Sequence, residues 1–347
     1  MKGYLISTEL EQNNNAGSKA KQDIETILLR AGLERLSLTI PKDRVKRALY
    51  AASVWKKAMN NLDEGLITLQ YPLYSKVITK SLVKKAKKRP KIKMVAIVHD
   101  IESLRIDHDH DHDDAVAAEI GILNSFDFLI VHNVRMKTWL VKHGLTTPSE
   151  ILGAFDYLSD FSMPAYRTAK NIVNFAGNLN KSSFLTKIAN TDLRYHIYGP
   201  NPQKYSAALT YKGMYTPEEL SEQFDSGYGL AWDGESITTC SGIYGEYLKI
   251  NNPHKVSLYI RSGLPVVVWN EAAMSDWVEK NNLGFSIGSL DELSSAIKEI
   301  TDEQYQAYIK NVHVVAQRMQ QGLYIKEAMA KMLKNQSIIL ENYNGEY

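Results

Sequence analysis

The feature that most constrains this fold is an alternation of short apolar runs with helical segments along both halves of the chain. Strands that alternate with helices form parallel sheets, because each crossover helix must pack back on the sheet. The sequence therefore predicts an α/β protein with doubly wound parallel sheets. The predicted strands are residues 4–7, 36–40, 65–72, 93–100 and 126–132 in the first half, and 171–176, 195–198, 227–232, 265–269 and 284–287 in the second.

The length and composition indicate two globular domains. A chain of 347 residues is long enough for two domains that each bury a core. Charged residues make up 23% and apolar residues 44%, which excludes a wholly disordered chain. We expect a first domain at residues 1–158, a linker within 157–168 and a second domain at 169–325.

Charge and cysteine content narrow the partners and the compartment. The net charge of +2 favours neither nucleic acid nor a strongly acidic partner. The single cysteine, Cys240, has no partner for an internal disulfide, which fits a reducing compartment. The first residues contain no long apolar segment. These features predict a cytoplasmic protein that binds no nucleic acid.

Basic residues are concentrated between Lys80 and Lys91, at the end of a predicted helix and the turn that follows. One interpretation is a solvated helix end, where cations face the negative end of the helix dipole. The alternative is contact with anionic lipid at the cytoplasmic face of a membrane. The sequence leaves both open.

The stretch from Trp232 to Trp269 is the most informative part of the second half. It contains a strand end, a loop rich in Gly and Ser, a helix opened by Asn252-Pro-His-Lys255, and an apolar strand. The N–H groups and the positive dipole at a helix start bind phosphate, and Lys255 adds a positive charge there. This arrangement predicts a diphosphate site.

The same stretch is similar to a known group of enzymes. Through the motifs WDG-E-S, TCSG, GEYLK-NNPHK-SLY and LPV--W, the chain resembles bacterial β-1,6-galactofuranosyltransferases of O-antigen and capsule assembly. More distantly it resembles the glucosyltransferases that extend glycans on streptococcal serine-rich adhesins. The resemblance is densest between residues 172 and 290 and traceable from 15 to 158. It implies the GT-B fold, two Rossmann-like domains facing across a cleft, with a C-terminal helix at 326–347 that packs back on the first domain.

The resemblance also implies a reaction. It favours transfer of galactofuranose from a UDP-sugar to a hydroxyl of a glycan acceptor, which is lipid-linked in surface polysaccharide assembly, with inversion to a β-linkage. It implies no required metal or other cofactor, and self-association into homo-oligomers. Two alternatives stay open: a glucosyl- or N-acetylglucosaminyltransferase that acts on an adhesin glycan, and a catalytically silent subunit of a partner transferase.

Ligands of open parallel sheets bind beyond the carboxyl ends of the strands, so the polar loops there supply the candidate residues. Lys181 is the counterpart of a basic residue that contacts the diphosphate in the adhesin glucosyltransferases, although some relatives have Arg there. Tyr198 and Tyr215 are candidate stacking platforms for uracil. Cys240 is expected to line the pocket without acting as a nucleophile. The full set of predicted donor-site residues in the second domain is Gly177, Asn178, Lys181, Tyr198, Tyr215, Trp232, Asp233, Ser241, Gly242, Asn252, His254 and Lys255.

The first domain offers a base and an acceptor-side loop. His99 and Asp100 end a predicted interior strand, where a general base has to deprotonate the acceptor hydroxyl. We expect Asp100 to be the base and His99 to orient it or bind phosphate, and the two roles can be exchanged. Gly17 and Ser18, in the loop that opens the first helix, are predicted to touch donor and acceptor. Helix capping is the alternative role for that loop and for Asp100.

The run from His108 to Asp114 alternates imidazoles and carboxylates, which invites a metal interpretation. In an extended chain, however, successive His side chains of this run point to opposite faces, so few of them can share one ion. We expect an exposed acceptor-side loop here, with a metal-dependent hydrolase as the disfavoured alternative.

Overall fold

The computed structural model describes residues 1–9, 16–41, 43–59, 62–73, 75–105, 112–164, 168–189 and 191–345, without the side chains of residues 9, 16–18, 44, 57 and 112. The chain divides into two compact units. One unit contains Gly17–Gly153, the first strand and the C-terminal segment Gly322–Tyr347, and the other contains Ala154–Gln321. The segment at 157–168, predicted as a linker, lies in the second unit, where Tyr157 is 1% exposed.

The first unit is built on a six-stranded parallel sheet with the strand order β2-β1-β3-β4-β5-β6. The central strands β3 and β4 are almost wholly buried, as expected for a parallel sheet covered on both faces. Side chains of Asp43, Ser75 and Asn133 accept N–H groups in the first turns of three helices and so fix where those helices begin. The elements are β1 (Gly3–Glu9), α1 (Ala16–Arg30), β2 (Glu34–Thr39), α2 (Arg44–Ala58), β3 (Gly65–Tyr71), α3 (Lys76–Ala86), β4 (Ile92–Val98), α4 (His112–Leu123), β5 (Phe128–Val131), α5 (Val134–Lys142) and β6 (Ser149–Ile151).

The second unit repeats this architecture with the strand order β12-β11-β10-β7-β8-β9, again parallel throughout. Its core contains Trp232, Trp269 and a set of tyrosines, all nearly or fully buried. The elements are β7 (Ile172–Ala176), β8 (Arg194–Tyr198), β9 (Leu209–Gly213), α6 (Pro217–Leu220), β10 (Tyr228–Ala231), α7 (Gly242–Tyr247), α8 (His254–Arg261), β11 (Val266–Trp269), α9 (Ser275–Lys280), β12 (Gly284–Ile287), α10 (Leu293–Glu299) and α11 (Asp302–Gln320).

The last helix, α12 (Leu323–Asn335), belongs to the first unit and lies against β5 and β6. It begins directly after Gly322, where the chain has a φ of +68°. A Cβ atom at that glycine would lie 2.5 Å from the Ile27 side chain, so α12 and α1 approach closely at this point. In the described part of the chain, no helix has the length and apolar character needed to cross a bilayer.

The predicted strands all occur, with ends that differ by one or two residues. Two further strands, β6 and β9, were not predicted. Both lie at a sheet edge, and both lack the buried apolar run that marks the interior strands. Lys212 and Gly213 are the last two residues of β9.

Candidate functional site

The strand order of the second sheet places a crevice between the ends of β7 and β10. From β7 the chain continues to β8 and β9 on one side, and from β10 it continues to β11 and β12 on the other. The carboxyl ends of β7 and β10 therefore border a topological switch point, which is where open parallel sheets bind their ligands. The loops that leave these two strands begin at Gly177 and Trp232.

Lys255, in the first turn of α8, lies at this switch point. Its Nζ is 2.8 Å from Asp233 Oδ1 and 3.3 Å from the Trp232 carbonyl oxygen, both in the loop after β10. The ammonium also lies 4.7 Å from the ring centroid of Phe175, on β7. A Cβ atom at Gly177 would be 4.0 Å from the same Nζ. The fold thus brings Gly177, Asp233 and Lys255 together, and we call these three residues with Trp232 and Phe175 the Lys255 cluster.

The Lys255 cluster contains one positive and one negative side chain, which pair with each other. The side chains of Lys255 and Asp233 are 15% and 23% exposed, so their ion pair is partly shielded from water. The Lys255 ammonium has three N–H donors, and its hydrogen bonds to described residues use two of them. A phosphate oxygen can take the third donor and the N–H groups at the start of α8.

Two glycines set the spacing of the loops around the cluster. Gly199, directly after β8, has a φ of +138°, and a Cβ atom there would lie 1.9 Å from the carbonyl oxygen of Gly177. Gly234 has a φ of +108°, and a Cβ atom there would lie 2.3 Å from the carbonyl oxygen of Ser241. The loops therefore meet backbone to backbone, which only glycine permits.

The loop after β7 supplies a second cation at the rim. Lys181 ends a short 3-10 turn, and its Nζ lies 4.5 Å from the ring centroid of Tyr244 on α7. The Asn178 side chain accepts from the Asn180 N–H at 3.1 Å and from Asn201 Nδ2 at 3.3 Å, which ties this loop to the one after β8. Lys181 and Asn178 are exposed.

The aromatic candidates differ in exposure. Tyr198 is 1% exposed, packs edge-on against Phe224 and donates its hydroxyl to the Gln223 carbonyl at 3.1 Å. The prediction that it offers a ring face to uracil is therefore wrong, because protein covers the ring. Trp232 is also buried, with its indole N–H bonded to the Ser236 carbonyl, so only its main-chain oxygen faces Lys255. Tyr215 is 36% exposed and is the remaining aromatic candidate.

The other predicted donor-site residues lie in the segments that begin α7 and α8. Ser241 and Gly242 are at the start of α7, and Asn252 is a buried residue two positions before α8. The His254 ring stacks on Tyr157 with a centroid distance of 5.1 Å. Packing against the chain that enters the second unit therefore accounts for one face of this ring.

Cys240 has the environment of a core residue. It is 1% exposed and belongs to the apolar core of the second unit. Burial raises the pKa of its thiol far above the usual value. A thiolate nucleophile at this position is therefore excluded at physiological pH.

In the first unit, His99 is held by a hydrogen-bond chain that fixes its tautomer. Its Nε2 lies 2.8 Å from Gln70 Oε1, and Gln70 Nε2 donates to the Lys21 carbonyl at 3.0 Å. Because the amide N–H points at a carbonyl, the amide oxygen faces His99 and must accept from Nε2–H. In the neutral imidazole, Nδ1 then carries the basic lone pair.

Asp100, the next residue, forms an ion pair with Arg105. The turn between them is anchored by Glu119, a buried carboxylate that accepts the main-chain N–H groups of Glu102 and Ser103 at 3.0 and 2.7 Å. The N-cap residue of the following 3-10 helix is Ile101, one position after Asp100.

Lys21, on α1, was not singled out in the sequence. Its Nζ donates to the Pro72 carbonyl at 2.6 Å. Burial lowers the pKa of this ammonium to about 8, although the carboxylates of Asp100 and Glu102 act in the opposite direction. The sequence gives no signal of this lowered pKa, because it arises only when Lys21 on α1 is buried beside Gln70 and Pro72.

Two predictions fall on parts of the chain that the structure does not fully describe. The loop at 13–15 lies outside the described residues, and Gly17 and Ser18 are described only as main chain in the first turn of α1. Residues 106–111 of the His/Asp run also lie outside, and α4 begins at His112. Among the described residues, no group of three or more His, Cys, Asp and Glu side chains is placed to hold a metal ion.

Comparison with known proteins identifies the family. The N-terminal and C-terminal domain models of the glucosyltransferase 3-like proteins match residues 3–154 and 173–332. The chain is 32% identical to the beta-1,6-galactofuranosyltransferase WbbI of Escherichia coli (strain K12) over 250 residues, which cover 70% of this chain and 72% of that protein. The chain belongs to the glucosyltransferase 3-like family of glycosyltransferases. It is also 25% identical to Glucosyltransferase 3 of Streptococcus gordonii, over 68% of this chain and 70% of that one.

Solved structures agree on the fold of this family member. A sucrose-phosphate synthase from Thermosynechococcus elongatus aligns with a TM-score of 0.63 at 12% identity, over 96% of this chain and 99% of that one. An alpha-glucosyltransferase in complex with UDP aligns with a TM-score of 0.53 at 11% identity, over 97% and 100%. The predicted GT-B fold with two Rossmann-like domains is thereby confirmed.

Proposed function

We propose that this glycosyltransferase uses a UDP-sugar, whose diphosphate binds at the Lys255 cluster. The observation that carries this assignment is the position of Lys255: the ammonium lies at the first turn of α8 and at the switch point between β7 and β10. A helix start combined with a lysine is a general diphosphate site. Support for uridine comes from the UDP named with one structural neighbour.

We further propose galactofuranose as the transferred sugar and a β-linked product, following the name of the 32%-identical relative. In the reaction, an acceptor hydroxyl attacks the anomeric carbon as the bond from that carbon to the diphosphate oxygen breaks. The hydroxyl proton passes to a general base, and the electron pair of the broken bond leaves with UDP. Lys255, Lys181 and the N–H groups of α8 stabilise the charge that develops on the diphosphate.

We assign the base to His99 and so exchange the roles expected from the sequence. Asp100 is already paired with Arg105, and taking up a proton would cost that ion pair. His99 has a basic Nδ1, because Gln70 holds its Nε2 as the N–H. An imidazole in this tautomer can take the proton of a hydroxyl at Nδ1. Asp100 and Arg105 then bind polar groups of the acceptor.

A second candidate function is glucosyl or N-acetylglucosaminyl transfer to the glycan of a serine-rich adhesin. The glucosyltransferase 3-like family models and the Streptococcus gordonii relative favour it. Both functions use the same diphosphate site and differ in the sugar. A lipid-linked acceptor, self-association and independence from metal ions remain predictions; activity that survives EDTA tests the last of these.

The experiment compares UDP binding and turnover in matched variants. Lys255→Met is expected to weaken UDP binding by about 10- to 100-fold, because a hydrogen bond to a charged group contributes about 1.5–3 kcal/mol. The control is Lys298→Met, which removes the same charge from an exposed ion pair with Asp192. Binding is measured by titration calorimetry with UDP.

Turnover is then measured with UDP-galactofuranose, generated by a mutase, and with UDP-glucose and UDP-N-acetylglucosamine. We expect His99→Gln to lose about 10²- to 10⁴-fold in kcat with UDP binding unchanged. If wild type binds no uridine nucleotide, the donor assignment fails and a silent subunit becomes the better explanation. If UDP binds but only the glucose-type donors turn over, the second candidate function is correct.

A further inference from the structure

The positive charge of this protein is concentrated in two segments. The α2 segment 44–58 and the α3 segment 75–91 contain 13 of the 41 Lys and Arg residues and none of the 39 Asp and Glu residues. The rest of the chain holds 28 basic and 39 acidic residues, so it is anionic. Such an asymmetry orients a protein toward a negatively charged surface.

The two segments form one surface, because α2 and α3 lie side by side and run parallel. Ser81 Oγ donates to the Ala51 carbonyl at 2.5 Å, and the Arg89 guanidinium lies 4.5 Å from the ring centroid of Trp55. Ser81 precedes Arg89 on α3, and their partners Ala51 and Trp55 follow the same order on α2, so the two helices run parallel. In this register Val77, one turn before Ser81, lies beside the turn of α2 that precedes Ala51.

This surface also exposes three large apolar side chains. Val45 and Leu49, one turn apart on α2, are 69% and 68% exposed, and Val77 on α3 is 55% exposed. Ala48 and Ala52 are exposed on the same stripe of α2. The exposed lysines of the same two segments include Lys46, Lys56, Lys76, Lys80, Lys84, Lys87 and Lys88. We call these lysines and the three apolar side chains the α2–α3 face.

A groove continues the α2–α3 face toward α4. It has a volume of about 390 Å³ and is lined by Lys80, Lys84 and Lys87 on one side and by Gly121 and Ser125 at the other. Three lysines at the wall of this recess give it the charge that an anionic headgroup requires. The groove lies between α3 and α4, and α2 packs against α3 as well.

We propose that the α2–α3 face binds the surface of an anionic lipid bilayer. The lysines contact headgroup phosphates, and Val45, Leu49 and Val77 enter the boundary between headgroups and acyl chains. A nucleic acid would also attract the lysines, but it offers no apolar layer for these three side chains. A bilayer surface offers phosphates to the lysines and an apolar layer to the three apolar side chains.

The position of the face fits an enzyme that works at a membrane. The helices α2 and α3 follow β2 and β3, so their first turns lie at the carboxyl edge of the first sheet. Val45 and Val77 are in these first turns, and Leu49 is one turn later on α2. His99 follows β4 at the same edge of the sheet. The inference itself depends on charge and exposure alone and stands apart from the identity of the sugar.

The test is flotation of the full-length protein with vesicles of phosphatidylethanolamine containing phosphatidylglycerol, against vesicles of phosphatidylcholine. Wild type is expected to float with the anionic vesicles at low salt and to dissociate at high salt. Each lysine is expected to contribute about 5-fold to vesicle affinity. The triple variant Lys80→Gln, Lys84→Gln and Lys87→Gln should therefore bind the anionic vesicles about 100-fold more weakly. Leu49→Ser should weaken binding by about 10-fold.

The control is a triple variant of the second unit that removes the same charge from exposed positions: Lys187→Gln, Lys204→Gln and Lys280→Gln. It should bind vesicles as wild type does. The proposal is overturned if wild type fails to bind anionic vesicles, if it binds neutral vesicles equally well, or if the two triple variants lose the same affinity. It is also overturned if Leu49→Ser binds as wild type and duplex RNA competes the vesicles off. Melting temperatures close to wild type confirm that the variants are folded.

Discussion

Replacing Gly199 by alanine tests whether backbone contact between two loops builds the proposed donor site. A Cβ atom at this position would lie 1.9 Å from the carbonyl oxygen of Gly177, and real Cβ contacts stay beyond about 3 Å. Both groups are backbone, so no side chain can rotate away. The loop that begins at Gly177 must therefore move by about 1 Å, which is the distance that removes the overlap.

The expected cost has two parts. A residue with a Cβ atom at a φ of +138° costs about 1–2 kcal/mol, and the overlap adds about 1–3 kcal/mol of overpacking. Gly199→Ala should thus lose about 2–5 kcal/mol of unfolding free energy. Gly144→Ala is the control, because its φ is +97° and a Cβ atom there meets nothing within 4 Å. Gly144→Ala should lose only about 1–2 kcal/mol, which is the cost of a Cβ atom at a positive φ.

The functional readout is UDP affinity, measured by calorimetry well below the melting temperature of each variant. Because Gly177 lies next to the Lys255 ammonium, a 1 Å shift should weaken UDP binding by about 100-fold. Gly144→Ala should bind UDP as wild type does. The reasoning is refuted if the two variants melt together, and the link to the donor site is refuted if Gly199→Ala melts early yet binds UDP normally.

Two further predictions concern the first unit. Burial lowers the pKa of His132 to about 4 from 6.5, so between these values the unfolded chain binds more protons and stability falls as the pH falls. When the pH is lowered from 6.5 to 4, the unfolding free energy of His132→Gln should therefore fall by about 3 kcal/mol less than that of wild type, as measured by urea unfolding. Equal decreases in the two proteins would contradict the assignment. Gln70→Leu should reduce kcat by about 10- to 100-fold with an unchanged KM for the UDP-sugar, because His99 loses its fixed tautomer; an unchanged kcat and pH profile would remove His99 as the base.

Much of the fold could be predicted from the sequence because interior parallel strands are covered on both faces and must be apolar. The run from Val266 to Trp269 is an example, since every residue in it is buried. The edge strands β6 and β9 escaped prediction for the same reason. Their exposed sides allow polar residues such as Ser149 and Lys212, and so they carry no apolar run.

The candidate site was predicted only in part. Polar residues after apolar strands, such as Asp233 and His99, could be found because strand ends are readable. The pairing of Asp233 with Lys255 and of His99 with Gln70 could not be predicted, because these partners are 22 and 29 residues apart in the chain. The solvent exposure of side chains could not be predicted from the sequence either. Tyr198 and Tyr215 look alike in sequence, but one is enclosed by Phe224 and the other is open to water.

The sequence by itself determined the alternation of strands and helices, the loops that follow the strands, and the likeness to glycosyltransferases, because these depend on local patterns. The tertiary structure decided what chemistry each residue can do. Sheet order placed Gly177 and Asp233 at one switch point with Lys255, burial removed Tyr198 from the surface, and Gln70 chose the tautomer of His99. Those properties depend on neighbours distant along the chain, and only folding brings such neighbours within a few ångströms.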